Sequence, residues 1–162
     1  MSVDPTAIFE ACRQNNLLNV QKIYAADPSS IHAIDARGFT PLILAVYNNA
    51  TEVVVFLLEK GVKTDGRDAA GNTALMGVSF KGNVELAEKL IKAGANVNER
   101  NSNGATALIF AANFGHLQMA TLLLQNVADI SLADASGKTP LDHARLQENW
   151  EMFDLIKQFK MQ

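Results

Sequence analysis

Apolar residues along this chain recur as adjacent pairs four positions apart: Val53, Val54, Leu57 and Leu58, then Leu86, Ala87, Leu90 and Ile91, then Met119, Ala120, Leu123 and Leu124. That spacing lines one face of an α-helix. Ahead of each set runs a shorter apolar stretch built around a small residue, Ala45, Val78, Ala111 or Ala144, which predicts a second helix able to approach its neighbours closely. Asn49, Gly82 and Gly115 separate the two helices, and Gly61 and Gly94 follow the second one, where left-handed cap residues belong. Thr40-Pro41 and Thr139-Pro140 mark helix starts, since the hydroxyl can cap free amides and proline at the first helical position has no N–H to leave unpaired. The pattern predicts an all-α chain of short paired helices.

The pairs repeat with a period of 33. Gly38, Gly71, Gly104 and Gly137 are each followed two residues later by Thr40, Thr73, Thr106 or Thr139, and two later again by Leu42, Leu75, Leu108 or Leu141. Three residues before each glycine stands Asp35, Asp68, Asn101 or Asp134. Asp-x-x-Gly is turn chemistry, a short polar acceptor followed by a residue free to take φ > 0, so a tight hairpin-like loop should open each unit. Leu57, Leu90, Leu123 and Ile156 share a further column, and Leu58, Ile91, Leu124 and Lys157 the next.

At these residues the chain resembles an ankyrin-repeat protein, whose unit of about 33 residues is a β-turn and two antiparallel helices with a Thr-Pro-Leu-His-x-Ala signature. The resemblance implies an all-α ankyrin-repeat solenoid of stacked helix-turn-helix units with projecting hairpin loops. It covers nearly all of 1–162 as a single domain: an N-terminal cap at 4–33, repeats at 34–66, 67–99 and 100–132, and a C-terminal cap at 133–162. In this reading Cys12 takes the Ala45 column, and Val20, Ile23 and Tyr24 take those of Val53, Phe56 and Leu57, so the first unit is a repeat without its hairpin. Some positions depart from the pattern. Ile43, Met76, Ile109 and Asp142 stand where the signature histidine would, so packing should replace its polar network. Ala74 and Ala107 replace the helix-start proline, and Val127 replaces the glycine that closes the second helix, which should strain or reshape that cap.

Composition narrows the function. The chain has 14 Lys+Arg against 17 Asp+Glu, a net charge of −3 and a pI near 5.6, which argues against a grip on phosphate backbones. Cys12 is the only cysteine, excluding an internal disulfide and a cysteine-based zinc cluster, and no metal or cofactor is expected. Met1-Ser2-Val3-Asp4-Pro5 lacks the basic and apolar regions of an export signal, and no apolar run approaches the roughly 20 residues that span a bilayer, so a soluble, cytoplasmic chain without a membrane partner is expected. His143, Asp142 and Cys12 form no nucleophile-base set, because Cys12 and His143 belong to the first and last units. His116 sits at the family's Gly-His turn, where a structural role is expected. Gly137-Lys138-Thr139 imitates the end of a phosphate loop, but Leu132 stands where that motif needs glycine. Glu148 and Glu151 are expected to be exposed charges near a helix start.

What remains is binding. The resemblance implies that hairpin tips and the ends of the first helices line a concave groove. Just before the inter-helix turn these columns hold Tyr47 and Asn48, Phe80 and Lys81, Asn113 and Phe114, then Leu146 and Gln147. Tyr and Phe rings at solvent-facing columns are candidate anchors for a partner, and the rival reading packs them on neighbouring hairpins. The hairpins supply Arg37, Phe39, Arg67, Asn72, Arg100 and Lys138, a basic edge opposite Glu52, Glu59, Glu85 and Glu88. An acidic or mixed segment would complement it. The expectation is a non-enzymatic protein-protein interaction module, monomeric alone, acting as a small regulator or inhibitor. An adaptor or scaffold is the alternative, and a small-ligand binder or enzyme ranks below both.

Overall fold

The threonines that close the hairpins open the helices. Thr40, Thr106 and Thr139 accept through Oγ1 from the amides of Ile43 (3.1 Å), Ile109 (3.2 Å) and Asp142 (3.3 Å). Asp142, standing in for the signature histidine, completes a capping box by accepting from the Thr139 amide at 2.9 Å. In the same column Ile43, Met76 and Ile109 are buried, so packing does fill the place of a polar network there. The computed structural model describes residues 4–160, so the leader reading of Met1–Val3 and the last two residues of the expected closing unit lie outside the described residues.

Two compact units divide the chain at Ala74 and Leu75. The first contains α1 (Ala7–Arg13), α2 (Leu17–Ala26), a 3-10 turn (Pro28–His32), α3 (Pro41–Tyr47) and α4 (Thr51–Glu59). Here α1 packs on α2 and α3, α3 packs on α4, and α2 meets α4. The second contains α5 (Ala74–Lys81, all but its first residue), α6 (Val84–Lys92), α7 (Ala107–Phe114), α8 (Leu117–Gln125), α9 (Pro140–Leu146) and α10 (Trp150–Lys160). There α7 packs on α8 and α9, α10 packs on α8 and α9, and α6 packs on α8. Among the described residues there is no strand. Ala45, Val78, Ala111 and Ala144 are completely buried, as a close-approach column requires, and so are Val53, Leu57, Leu86, Leu90, Met119 and Leu123. Ser79, the fully buried polar residue of α5, donates its hydroxyl to the Leu75 carbonyl at 2.7 Å.

The register of the first unit differs from the sequence reading by one residue. After each first helix an amide reaches back across the left-handed turn: Ala50 to Ala45 O, Asn83 to Val78 O, His116 to Ala111 O and Asn149 to Ala144 O. In the first unit that bond runs from Asn16 to Ala11 O, with Asn15 at φ 51° matching Asn49 at 52°. Ala11, not Cys12, therefore takes the Ala45 column, and Val20, Ile23 and Tyr24 match Val54, Leu57 and Leu58. The additional residue is accommodated after the second helix. No glycine closes α2; Asp27 instead accepts from the Ser29 amide at 3.0 Å and starts the proline-led 3-10 turn.

Val127 keeps the cap and carries the strain. Its φ is 66°, beside 75° and 101° at Gly61 and Gly94, although β-branched residues very rarely adopt such angles. The side chain is 81% exposed and gains no burial in return. Asn98 holds the loop, donating from Nδ2 to Val127 O at 3.3 Å and accepting the Asp129 amide at 2.7 Å. Val127→Gly is expected to raise stability by about 1 kcal/mol, the left-handed strain relieved less the added freedom of glycine when unfolded. A shifted urea midpoint at constant m-value checks this.

Candidate binding surface

The four hairpins are one local design executed four times. Asp35 accepts through Oδ1 from the amides of Arg37 and Phe39, both at 2.9 Å. Asp68 does so from Ala70 and Asn72, Asn101 from Asn103 and Ala105, and Asp134 from Ser136 and Lys138. The second carboxylate oxygen then faces a first helix, and its partner changes from hairpin to hairpin. For Asp35 it is Arg13 at 3.5 Å; for Asp68 it is the Tyr47 hydroxyl, a long contact of 3.5 Å; for Asp134 it is His143 Nε2 at 2.7 Å.

The His143–Asp134 bond is the shortest of these, and the sequence reading had assigned His143 no partner. Burial opposes ionisation of Asp134, but the Lys138 amide, the His143 ring and the Ser136 amide outweigh it and hold the carboxyl below the usual range. A depressed folded value means that the ionised form is favoured by folding, so this contribution is full above the unfolded value of about 3.9 and is lost as pH falls through the lower folded value. Asp134→Asn keeps an oxygen for the two amides, as Asn101 does, but removes the charge-assisted bond. It should cost about 1–2 kcal/mol at neutral pH and flatten the acid limb of stability below about pH 4. Urea unfolding across pH reads both.

Two of the arginines of the expected basic edge turn back onto hairpin carbonyls. Arg67 donates from Nη1 to Gly71 O of its own hairpin at 3.1 Å. Arg100 donates from Nε to Gly104 O at 3.2 Å and from Nη2 to Ala133 O in the next hairpin. These guanidiniums brace hairpin backbone, whereas Arg37 is exposed. Lys138 is half-buried, and its amide serves Asp134. Glu52 and Glu59 in the first unit and Glu85 and Glu88 in the second are exposed on second helices.

The candidate anchors divide into two clusters. In the first unit Tyr47 is half-buried, edge-to-face with Phe39 (centroids 6.0 Å, 88°), and Asn72 joins through 3.5 Å from Nδ2 to Asp68. Burial and the neighbouring Asp68 carboxylate push the Tyr47 hydroxyl pKa up. Asn48 is exposed and turns Nδ2 onto Leu44 O at 2.8 Å, closing α3. Here the ring packs on its hairpin, the rival reading of the sequence. In the second unit Phe80 and Phe114 remain 45% and 47% exposed and meet edge-to-face at 4.6 Å and 77°. Lys81 is exposed beside them, and Asn113 accepts from Gln147 Nε2 at 3.0 Å. Phe80 and Phe114 stand one position apart in the repeat register, and their rings meet all the same.

His116 fixes this pair. Its Nε2 lies 2.8 Å from Phe80 O, and because a carbonyl can only accept, Nε2 carries the proton. Gly82 makes room: a Cβ there would sit 2.6 Å from His116 Nδ1, at a φ of +76° that side chains avoid. The ring thereby ties the end of α5 to the turn after α7.

Repeated hairpin-and-helix-pair units with a braced backbone define a helical repeat protein. A family model described as ankyrin repeats (3 copies) matches residues 8–101 and again 75–160. The chain belongs to the ankyrin-repeat family. The family is in general a non-enzymatic interaction module, and no helix among the described residues is long and apolar enough to cross a membrane.

Proposed function

We propose that this chain is a small regulator or inhibitor that acts without catalysis, by covering the surface of a partner protein with its hairpin tips and first-helix ends. The observation that carries the reading is the Phe80–Phe114 pair. Two phenyl rings, each nearly half exposed, are held in one geometry by their mutual contact and by the His116 bond. Exposed aromatic area that is already ordered loses little freedom on binding, so it favours association more than a mobile ring would. In this reading Lys81 and Lys138 flank the anchors of the second unit and Arg37 serves the first hairpin, with Arg67, Arg100, Asn72, Asn48 and Asn113 shaping the hairpins and helix ends they sit on. The repeat boundaries at 34–66, 67–99 and 100–132, and a monomeric free state, belong to the same proposal.

A further observation favours binding over catalysis. Burial pushes the Cys12 thiol up to about 12, which leaves it without the thiolate a nucleophile needs. The test is capture from the source cells on immobilised chain, run beside the Phe80→Ser, Phe114→Ser double variant. A partner held by the native chain and lost with the folded double variant is expected; equal retention by both overturns the assignment of this pair. Random duplex DNA should stay unbound at physiological salt, and affinity falling with a log-log slope of about −0.9 per phosphate contact would instead favour nucleic acid.

A further inference from the structure

Asparagine is common along this chain, but Asn103 alone is followed by glycine. It stands at the tip of the third hairpin, exposed, and the fold makes no use of its side chain. Only the backbone of Asn103 is engaged: its amide donates to Asn101 Oδ1 at 3.0 Å, and its carbonyl accepts the Ala135 amide at 2.8 Å. The carboxamide makes no hydrogen bond among the described residues, and the same column holds Arg37, Ala70 and Ser136 in the other hairpins. We propose that Asn103 is a modification site, where the Gly104 nitrogen and water convert the carboxamide to a carboxylate without an enzyme. The proposal does not depend on the reading of the chain as a binding module.

The chemistry needs a free carboxamide, an unobstructed nitrogen and help in forming an anion. Asn101, two residues earlier, fails the first requirement, because its Oδ1 holds the amides of Asn103 and Ala105 at 3.0 and 2.9 Å. Asn103 meets it. Gly104 meets the second, having no side chain to block approach to its nitrogen. The packing keeps it a glycine, since a Cβ there would lie 3.1 Å from Arg100 Nη2 and 3.3 Å from the Ala135 amide nitrogen, at a φ of +71°. Arg100 supplies the third. Its guanidinium lies against Gly104 and donates from Nε to the Gly104 carbonyl at 3.2 Å. A positive charge held beside a group favours its anionic form, here the deprotonated Gly104 amide and the oxyanion that follows it.

In the first step solvent takes the Gly104 N–H proton and the nitrogen attacks Asn103 Cγ. The new C–N bond closes a cyclic imide, the bond from Cγ to the side-chain nitrogen breaks, and ammonia leaves. Water then adds to either imide carbonyl and opens the ring, with nothing oxidised or reduced. Opening between Cγ and the nitrogen gives aspartate; opening at the main-chain carbon gives isoaspartate, in which the main chain runs through the former side chain. The Gly104 amide donates to Asn101 O at 2.9 Å in the closed turn, so attack follows a local opening of the tip. Either product places a carboxylate beside Arg100. Isoaspartate also adds a carbon to the main chain of the turn that receives the Ala135 bond.

The test is incubation of the full native chain in mildly alkaline buffer at physiological temperature, then peptide mapping by a fragmentation method that separates aspartate from isoaspartate. Asn103 should convert ahead of every other asparagine and give both products. Asn103→Ser, which introduces the residue of the fourth hairpin, should melt as the native chain does and show no conversion at that position. Arg100→Lys and Arg100→Gln both lose the fork that braces the hairpin, but only the first keeps the charge, so it should convert at least about threefold faster than the second. The urea-unfolded chain gives the rate without the fold. Conversion in urea with Asn103 intact in the native chain overturns the proposal, because the closed turn then protects the site, and so does earlier conversion of Asn101. Equal rates in the two Arg100 variants overturn the part given to Arg100. No readout here involves a partner, so failed capture leaves this site standing, and an unreactive Asn103 leaves the binding reading standing.

Discussion

Replacing Leu90 with alanine is expected to destabilise the protein by about 2–5 kcal/mol, the range found when a fully buried leucine is truncated and the site collapses only in part. Leu90 has no exposed surface, and it lies in the column of Leu57, Leu123 and Ile156, which are 0%, 0% and 1% exposed. Its helix, α6, is only nine residues long and depends on packing against its neighbour α8 for its stability. Little else can fill the space, because Leu86 and Ala87 on the same face are already fully buried. Ala69→Ser, at an exposed hairpin tip, should change stability by less than about 0.5 kcal/mol. Chemical unfolding of the two variants compares them directly. Equal losses at both sites would mean that the apolar columns do not mark the core.

Those columns were legible because burial and left-handed turns each demand a narrow residue class at a fixed spacing. Ala45, Val78, Ala111 and Ala144 could be read as close-approach positions, and Asn49, Gly82 and Gly115 as turn residues, without coordinates. The first unit was misaligned by one because its strongest cue, a hairpin glycine, is missing, and Cys12 and Ala11 are both buried and small enough for the column. The left-handed Asn15, one residue before the capping Asn16, was the usable signal, but two adjacent asparagines leave the choice open to one position. Side-chain direction was less legible than burial. Arg67 and Arg100 read as free charge because nothing in a sequence reports that a guanidinium can turn back onto a carbonyl four residues along. His143 and Asp134 are nine residues apart, and only the fold of the hairpin onto α9 brings them to 2.7 Å.

The aromatic pair of the second unit should show the largest effect on binding. The sequence alone suggested rings that contribute little to the fold; their contact at 4.6 Å revises that, because an edge-to-face pair contributes about 0.5–1.5 kcal/mol beyond the area it buries. Phe80→Ala and Phe114→Ala should therefore each cost about 1 kcal/mol of stability. The double change should cost less than their sum, since either single change already removes the shared contact. Loss of partner affinity should be larger, above about 1 kcal/mol for each ring and at least 2 kcal/mol for both, a factor of roughly 30 or more in Kd. Tyr47→Ala provides the contrast. That ring is half-buried on Phe39 with its hydroxyl toward Asp68, so its removal should lower the melting temperature more than either phenylalanine change does. Calorimetric melts and titrations of the same four variants separate the two quantities. If Phe80→Ala and Phe114→Ala lower stability as much as Tyr47→Ala does, and leave Kd within about threefold of the native chain, the rings serve the fold and the anchor lies elsewhere.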